Sequence, residues 1–125
     1  QNTASRIILR VPRSEHASPL LCTLHWLSIR SRIKHKINVS LTGSSSTYLS
    51  DLTHVYTPAR CLCSSSDTLI LIIPTMKMKS YGQRSFAYQG PATCNELPIE
   101  LRNKDTVISF KSALKTHLFQ LQEQT

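Results

Sequence analysis

The sequence predicts an α+β fold: a small, mostly helical domain with a β-hairpin-like segment around residues 68–88 and a C-terminal amphipathic helix, with order over only part of the chain left as an alternative. Three observations lead there. Apolar residues recur at helical spacing near both ends of the chain. The run Leu69-Ile70-Leu71-Ile72-Ile73, stopped by Pro74, has the length and composition of a buried strand. Just beyond it, Met76, Met78 and Ser80 alternate with Lys77 and Lys79, the two-residue period of a strand with one solvated face.

Taken in order, residues 2–9 read as a short helix whose apolar part is Ile7, Ile8 and Leu9, broken by Arg10 to Arg13 around Pro12. Ser18-Pro19 reads as an N-cap followed by a first-turn proline, with Leu20, Leu21, Leu24 and Leu27 on the face that follows. Ile29, Ile33 and Ile37 recur every four residues and predict a second amphipathic helix over 29–39, apolar on that stripe. Residues 42–47 form a Gly/Ser linker. Tyr48, Leu49 and Leu52 suit one helical turn, and an irregular stretch runs from Thr57-Pro58 through Ser64-Ser65-Ser66. Phe86 to Tyr88 reads as a short strand or turn ahead of Gly90-Pro91, and Leu97-Pro98 is another stop. Phe110, Leu114, Leu118 and Leu121 then line one face of a helix over 106–121, capped by Asp105 or Thr106. The organisation is therefore a basic helical segment (1–41), a Ser-rich linker (42–67) and a strand pair with the terminal helix (68–125), together one small domain at most.

The formal charge of +8 is unevenly spread. Residues 1–40 hold seven Arg or Lys against one acid, whereas residues 41–75 are nearly neutral. Arg30, Arg32, Lys34 and Lys36 form the densest basic surface, on two flanks of the helix over 29–39. Lys77, Lys79 and Arg84 interleave with Tyr81, Phe86 and Tyr88, and Lys111 and Lys115 lie on the terminal helix. Such a surplus suits phosphate-bearing partners, because neutralising phosphates releases condensed counterions. The alternative is that these charges only keep a small protein soluble. These nine cations are the candidate contacts for RNA or DNA, without sequence preference.

Catalytic constellations are not apparent. The seven acids are dispersed, and the only pair four apart, Glu96 and Glu100, has Pro98 between its members, so no site for two bridged cations is evident. There is no Gly-x-Ser-x-Gly elbow and no Gly-rich phosphate loop. His25 beside Trp26 is a base only in principle; a structural histidine next to a buried indole is the simpler reading. Cys22, Cys61, Cys63 and Cys94, with His54 and His117, lack zinc-ligand spacing and read as reduced thiols. No cofactor is expected. The longest apolar run is far below the ~20 residues of a membrane span, and no secretory signal is evident, so the expected location is intracellular, cytoplasmic or nuclear. The sequon Asn38-Val39-Ser40 reads as accidental in that setting.

Several short motifs stand along the chain in a particular order. They are Gln1-Asn2-Thr3-Ala4-Ser5-Arg6, Ser18-Pro19-Leu20-Leu21, Leu24-His25-Trp26-Leu27, Arg32-Ile33 with Lys36-Ile37, and Tyr48-Leu49-Ser50-Asp51-Leu52. Further along come Tyr56-Thr57-Pro58-Ala59-Arg60, Lys79 to Phe86, Asn95-Glu96-Leu97-Pro98, and Ser109 to Phe119. In this order they resemble the region just after the polymerase core in reverse transcriptases of vertebrate LINE-type (non-LTR) retrotransposons. The chain departs from that pattern at Ser28 (Pro in the family), Cys63 (often Arg), Cys94 (Trp) and in a shortened stretch after Ile37. The resemblance implies a thumb-like region that grips template and primer, with the palm aspartates and the endonuclease encoded elsewhere. It implies a truncated, degraded remnant with no catalysis of its own. The competing expectation is a protein-interaction module using the terminal helix, or an unselected translation product.

Overall fold

The structure, a computed structural model, describes residues 1–42, 47–59 and 69–124. Eight helices are described: α1 (Asn2–Leu9), α2 (Ala17–Thr23), α3 (Ile29–Leu41), α4 (Thr47–Ser50), α5 (Lys79–Gly82), α6 (Phe86–Asn95), α7 (Ile99–Arg102) and α8 (Val107–Glu123). The architecture is mostly helical, which corrects the α+β expectation. Cys61, Cys63, the Ser64–Ser66 stretch and most of the Gly/Ser linker lie outside the described residues.

The core is built on α8. Phe110, Leu114 and Leu118 are spaced four apart, so they form one stripe on a helix, and all three are buried. They pack with Leu27, Leu97 and Leu101, with Val39, Ala113 and Phe119 at the margin. Leu121, expected on the same stripe, is largely exposed. α3 packs against both α6 and α8, α7 and α2 pack against α8, and α1 packs against α2.

No hairpin forms at 68–88 among the described residues. Residues 69–73 are extended, but their pairing is confined to one antiparallel bridge between Leu71 and Val55, flanked by Tyr56 N–H to Ile70 O (2.8 Å) and Ile72 N–H to His54 O (2.8 Å). The other backbone edge of Leu71 is taken by a side chain. Asn95 accepts from Leu71 N–H at 3.0 Å and donates to Leu71 O at 2.9 Å. An amide from α6 thus occupies the place a neighbouring strand would need. Only Leu71 of the run is buried; Leu69, Ile70, Ile72 and Ile73 are exposed.

The segment read as the second strand is helical instead. Lys79 opens α5, and Gly82 closes tightly against Met76, where a Cβ would come within 2.8 Å of the Met76 Cβ. Phe86 begins α6, which passes through Gly90-Pro91 rather than stopping there. Pro91 removes one intrahelical bond, but Gly90, Pro91, Thr93 and Cys94 are all buried, and the packing of α6 on α3 offsets that loss.

α2 begins at Ala17, one residue before Ser18, so Ser18 and Pro19 lie in its first turn and His16 is the N-cap. α3 starts where predicted, runs two residues past the predicted end and packs by a different face. Ile29 and Ile33 are exposed, and Asn38 is the buried residue, 1% exposed. Ser28 caps this helix, its Oγ accepting from Ser31 N–H. Asn38 donates through Nδ2 to Lys34 O at 2.9 Å, while its Oδ1 is buried without a partner. The sequon therefore sits inside a helix with its asparagine sealed from solvent.

Two outcomes follow from this packing. Leu114→Ala empties a fully buried position in the stripe and lowers stability by about 2–5 kcal/mol, read as a drop in the midpoint of a circular-dichroism melt. Asn38→Leu removes the orphaned oxygen while keeping the branching of the side chain, and raises that midpoint by about 4 °C; an unchanged or lower midpoint means that Oδ1 has a partner in solution.

Candidate nucleic-acid interface

α3 distributes its four cations by helical phase. Arg32 and Lys36 stand one turn apart, as do Arg30 and Lys34 on the other flank, and all four are exposed. Lys34 is drawn to α6, where its Nζ lies 3.0 Å from Glu96 Oε2. Both groups are at least half exposed, so this pair adds little to stability, but it places a carboxylate beside that flank.

Arg32 and Lys36 face differently. With Ile29 and Ile33 they line a shallow depression of about 140 Å3. Arg32 also borders a larger groove of about 490 Å3, lined by Gln1, Ala4, His25, Trp26, Leu27 and Lys115. His25 and Lys115 in turn border a third hollow of about 470 Å3, with Ser112, Thr116, Phe119, Gln120 and Glu123. Shared walls make these three a continuous track. It runs from Lys36 past Arg32 to Lys115, carries aromatic rings at its middle, and meets the one acid on its lining, Glu123, at its far end.

The corner between α2 and α3 shapes the central groove. α2 ends with Trp26 N–H bonded to Leu21 O (2.8 Å) and His25 N–H to Cys22 O (3.0 Å), and His25 takes a left-handed φ of 52°. This pair of bonds is a Schellman closure, a position that glycine ordinarily fills. A non-glycine residue there costs about 1 kcal/mol or more. The turn projects the His25 ring outward, where its centroid lies 5.2 Å from that of Phe119 at an interplanar angle of 36°. Gln122 of α8 locks the corner: Ser28 N–H donates to its Oε1 at 2.7 Å, and its Nε2 donates to Trp26 O at 3.3 Å. Gln1 fixes the opposite rim, donating to Leu27 O at 2.7 Å and accepting from Arg32 at 3.4 Å.

Of the nine cations singled out in the sequence, the track unites Arg32, Lys36 and Lys115. Arg30 and Lys34 lie on the other flank of α3, and Lys111 is half-buried on α8. Lys77 and Arg84 are exposed on either side of α5, which Lys79 opens, and Arg30, Lys34, Lys77, Arg84 and Lys111 do not border the track. Tyr81 is exposed and Phe86 and Tyr88 are half-buried, on helical rather than strand backbone. Two features went unread in the sequence. His25 and Phe119 meet across the fold, from residues 94 positions apart, with no local signal. Arg6, Arg10 and Arg13 line a separate basic hollow of about 710 Å3 at the end of α1. There Arg10 holds a second left-handed φ, and the Arg6 guanidinium donates to Glu15 O at 2.8 and 3.2 Å. The spacing of Arg10 and Arg13 around Pro12 was the available clue.

Among the described residues no group of three His, Cys, Asp or Glu is placed to hold a metal ion, and no helix is long and apolar enough to cross a membrane. The described cysteines, Cys22 and Cys94, are free. The chain matches no family model, no curated protein and no solved structure.

Burial pushes the Cys94 thiol above its ordinary value of 9.0, partly opposed by the nearby Arg102 charge. The unfolded thiol therefore ionises first as pH rises. Its contribution to stability is complete below pH 9 and declines above it, and alkylation of Cys94 by iodoacetamide tracks global unfolding rather than the thiolate fraction. Rapid Cys94 labelling in the folded chain at pH 8 contradicts this.

Proposed function

We propose that the chain is a non-catalytic, nucleic-acid-binding remnant of a LINE-type reverse transcriptase, gripping RNA or DNA through the backbone without reading sequence. The observation that carries the binding part is the track that brings Arg32, Lys36 and Lys115, from two helices, onto one solvent-facing path. Cations spaced along a groove neutralise successive phosphates and release counterions, which supplies affinity independent of base identity. The ordered sequence motifs support the origin of the chain; the thumb-like role that they suggest is a gripping one, with chemistry supplied by a separate palm domain.

Exposed apolar side chains favour a second reading, in which the chain docks on protein. Ile7, Ile8, Ile29 and Ile33 are more than half exposed. That reading no longer rests on the terminal helix, whose apolar stripe is spent in the core. A cooperative melt without nucleic-acid binding favours it.

A salt titration of single-stranded RNA binding, followed by fluorescence anisotropy, tests the first reading. Three phosphate contacts give a slope of log affinity against log salt of about −2. Arg32→Gln or Lys115→Gln makes the slope shallower by about 0.7, whereas Lys34→Gln, beside Glu96, leaves it nearly unchanged. Absence of binding at about 50 mM salt, or an affinity flat in salt, rules the reading out.

A further inference from the structure

The middle of the track is not merely basic. His25 stands on the wall shared by two hollows, and Lys115 borders both. The His25 ring is exposed and lies beside the Phe119 ring, and Trp26 lines the same groove. Backbone bonds at the end of α2 set the position of this ring, and the backbone there would be relaxed by glycine. An aromatic side chain therefore projects from a position that sterically disfavours any side chain. Its own hydrophobic burial does not account for it, since it is exposed and is absent from the Leu27–Leu114 core.

Aromatic faces beside a phosphate-binding cation suit one ligand chemistry, an unpaired nucleobase with its attached phosphate. A duplex keeps its bases stacked on one another and offers only its backbone to such a surface. We infer that His25, backed by Phe119 and flanked by Trp26 and Lys115, is a stacking seat for an unpaired base, so that the track selects single-stranded over double-stranded nucleic acid. Lys115 holds the phosphate next to the seated base, and Arg32 and Lys36 follow the backbone away from it. This rests on the nucleic-acid-binding reading and adds to it a preference that backbone contacts alone do not create.

The experiment compares the full chain and its His25→Gly variant against three labelled probes of about twelve residues per strand: a single-stranded oligonucleotide, an abasic strand with the same backbone, and a duplex. Glycine removes the ring and relaxes the left-handed turn, so the variant melts at the same temperature as the parent or higher. The wild-type chain binds the single strand between about fivefold and a hundredfold tighter than the abasic strand. His25→Gly abolishes that difference, and His25→Trp, which keeps a stacking face, restores it. Equal binding of abasic and base-bearing strands overturns the seat while leaving backbone binding intact. A difference that survives His25→Gly also overturns it. No binding to any probe at about 50 mM salt overturns both the seat and the reading beneath it.

Discussion

The α8 stripe is the constraint on which the rest of the structure depends. Phe110, Leu114 and Leu118 present three large apolar groups on one helical face, and Leu27, Leu97 and Leu101 close over them. A small chain has little apolar surface to spare, so one well-filled seam has to organise several short helices. α7, with only four residues, and α2, with seven, are too short to be stable alone. Both pack against α8, and α2 packs on α1 as well. The groove borrows the same support, because Lys115 and Phe119 stand on the edges of the helix whose buried face is the core.

Much of this was legible in the sequence wherever period and burial agree. The terminal helix is such a case, since the four-residue spacing of Phe110, Leu114 and Leu118 matches the face that packs. α1 and α3 separate the two. Their extents were legible, but their apolar stripes point to solvent, and Ser5 and Asn38 are buried instead. The periodicity of Ile29 and Ile33 records an amphipathic helix without recording which side has a neighbour. At Leu71 the strand signal was real at the level of backbone, and the chain is extended there. What a single sequence does not carry is that an asparagine from α6 supplies the pairing that a second strand would have supplied.

The candidate site divides in the same way. Charge clustering marked nine cations, densest at Arg30 to Lys36, but helical phase and a neighbouring carboxylate sort them. Arg32 and Lys36 share the path with Lys115, whereas Lys34 turns to Glu96. The aromatics that interleave with bases near Tyr81 sit on helical backbone away from the track, and the rings that line it lie elsewhere. They come instead from a helix C-terminus and from α8. Pairings over that distance in sequence are set by tertiary packing, to which local patterning is blind.

The Gln122 side chain reaches the corner at Trp26 and Ser28 from 96 and 94 residues away. Most helical proteins of this size fold quickly because their contacts are local, and contact order sets the rate. Here the corner carries a long-range closure whose entropy must be met before its hydrogen bonds form. The groove takes shape only when the last helix docks. Its assembly is thus a late kinetic event, more like the closing of a non-local β-structure than the zipping of a helical hairpin.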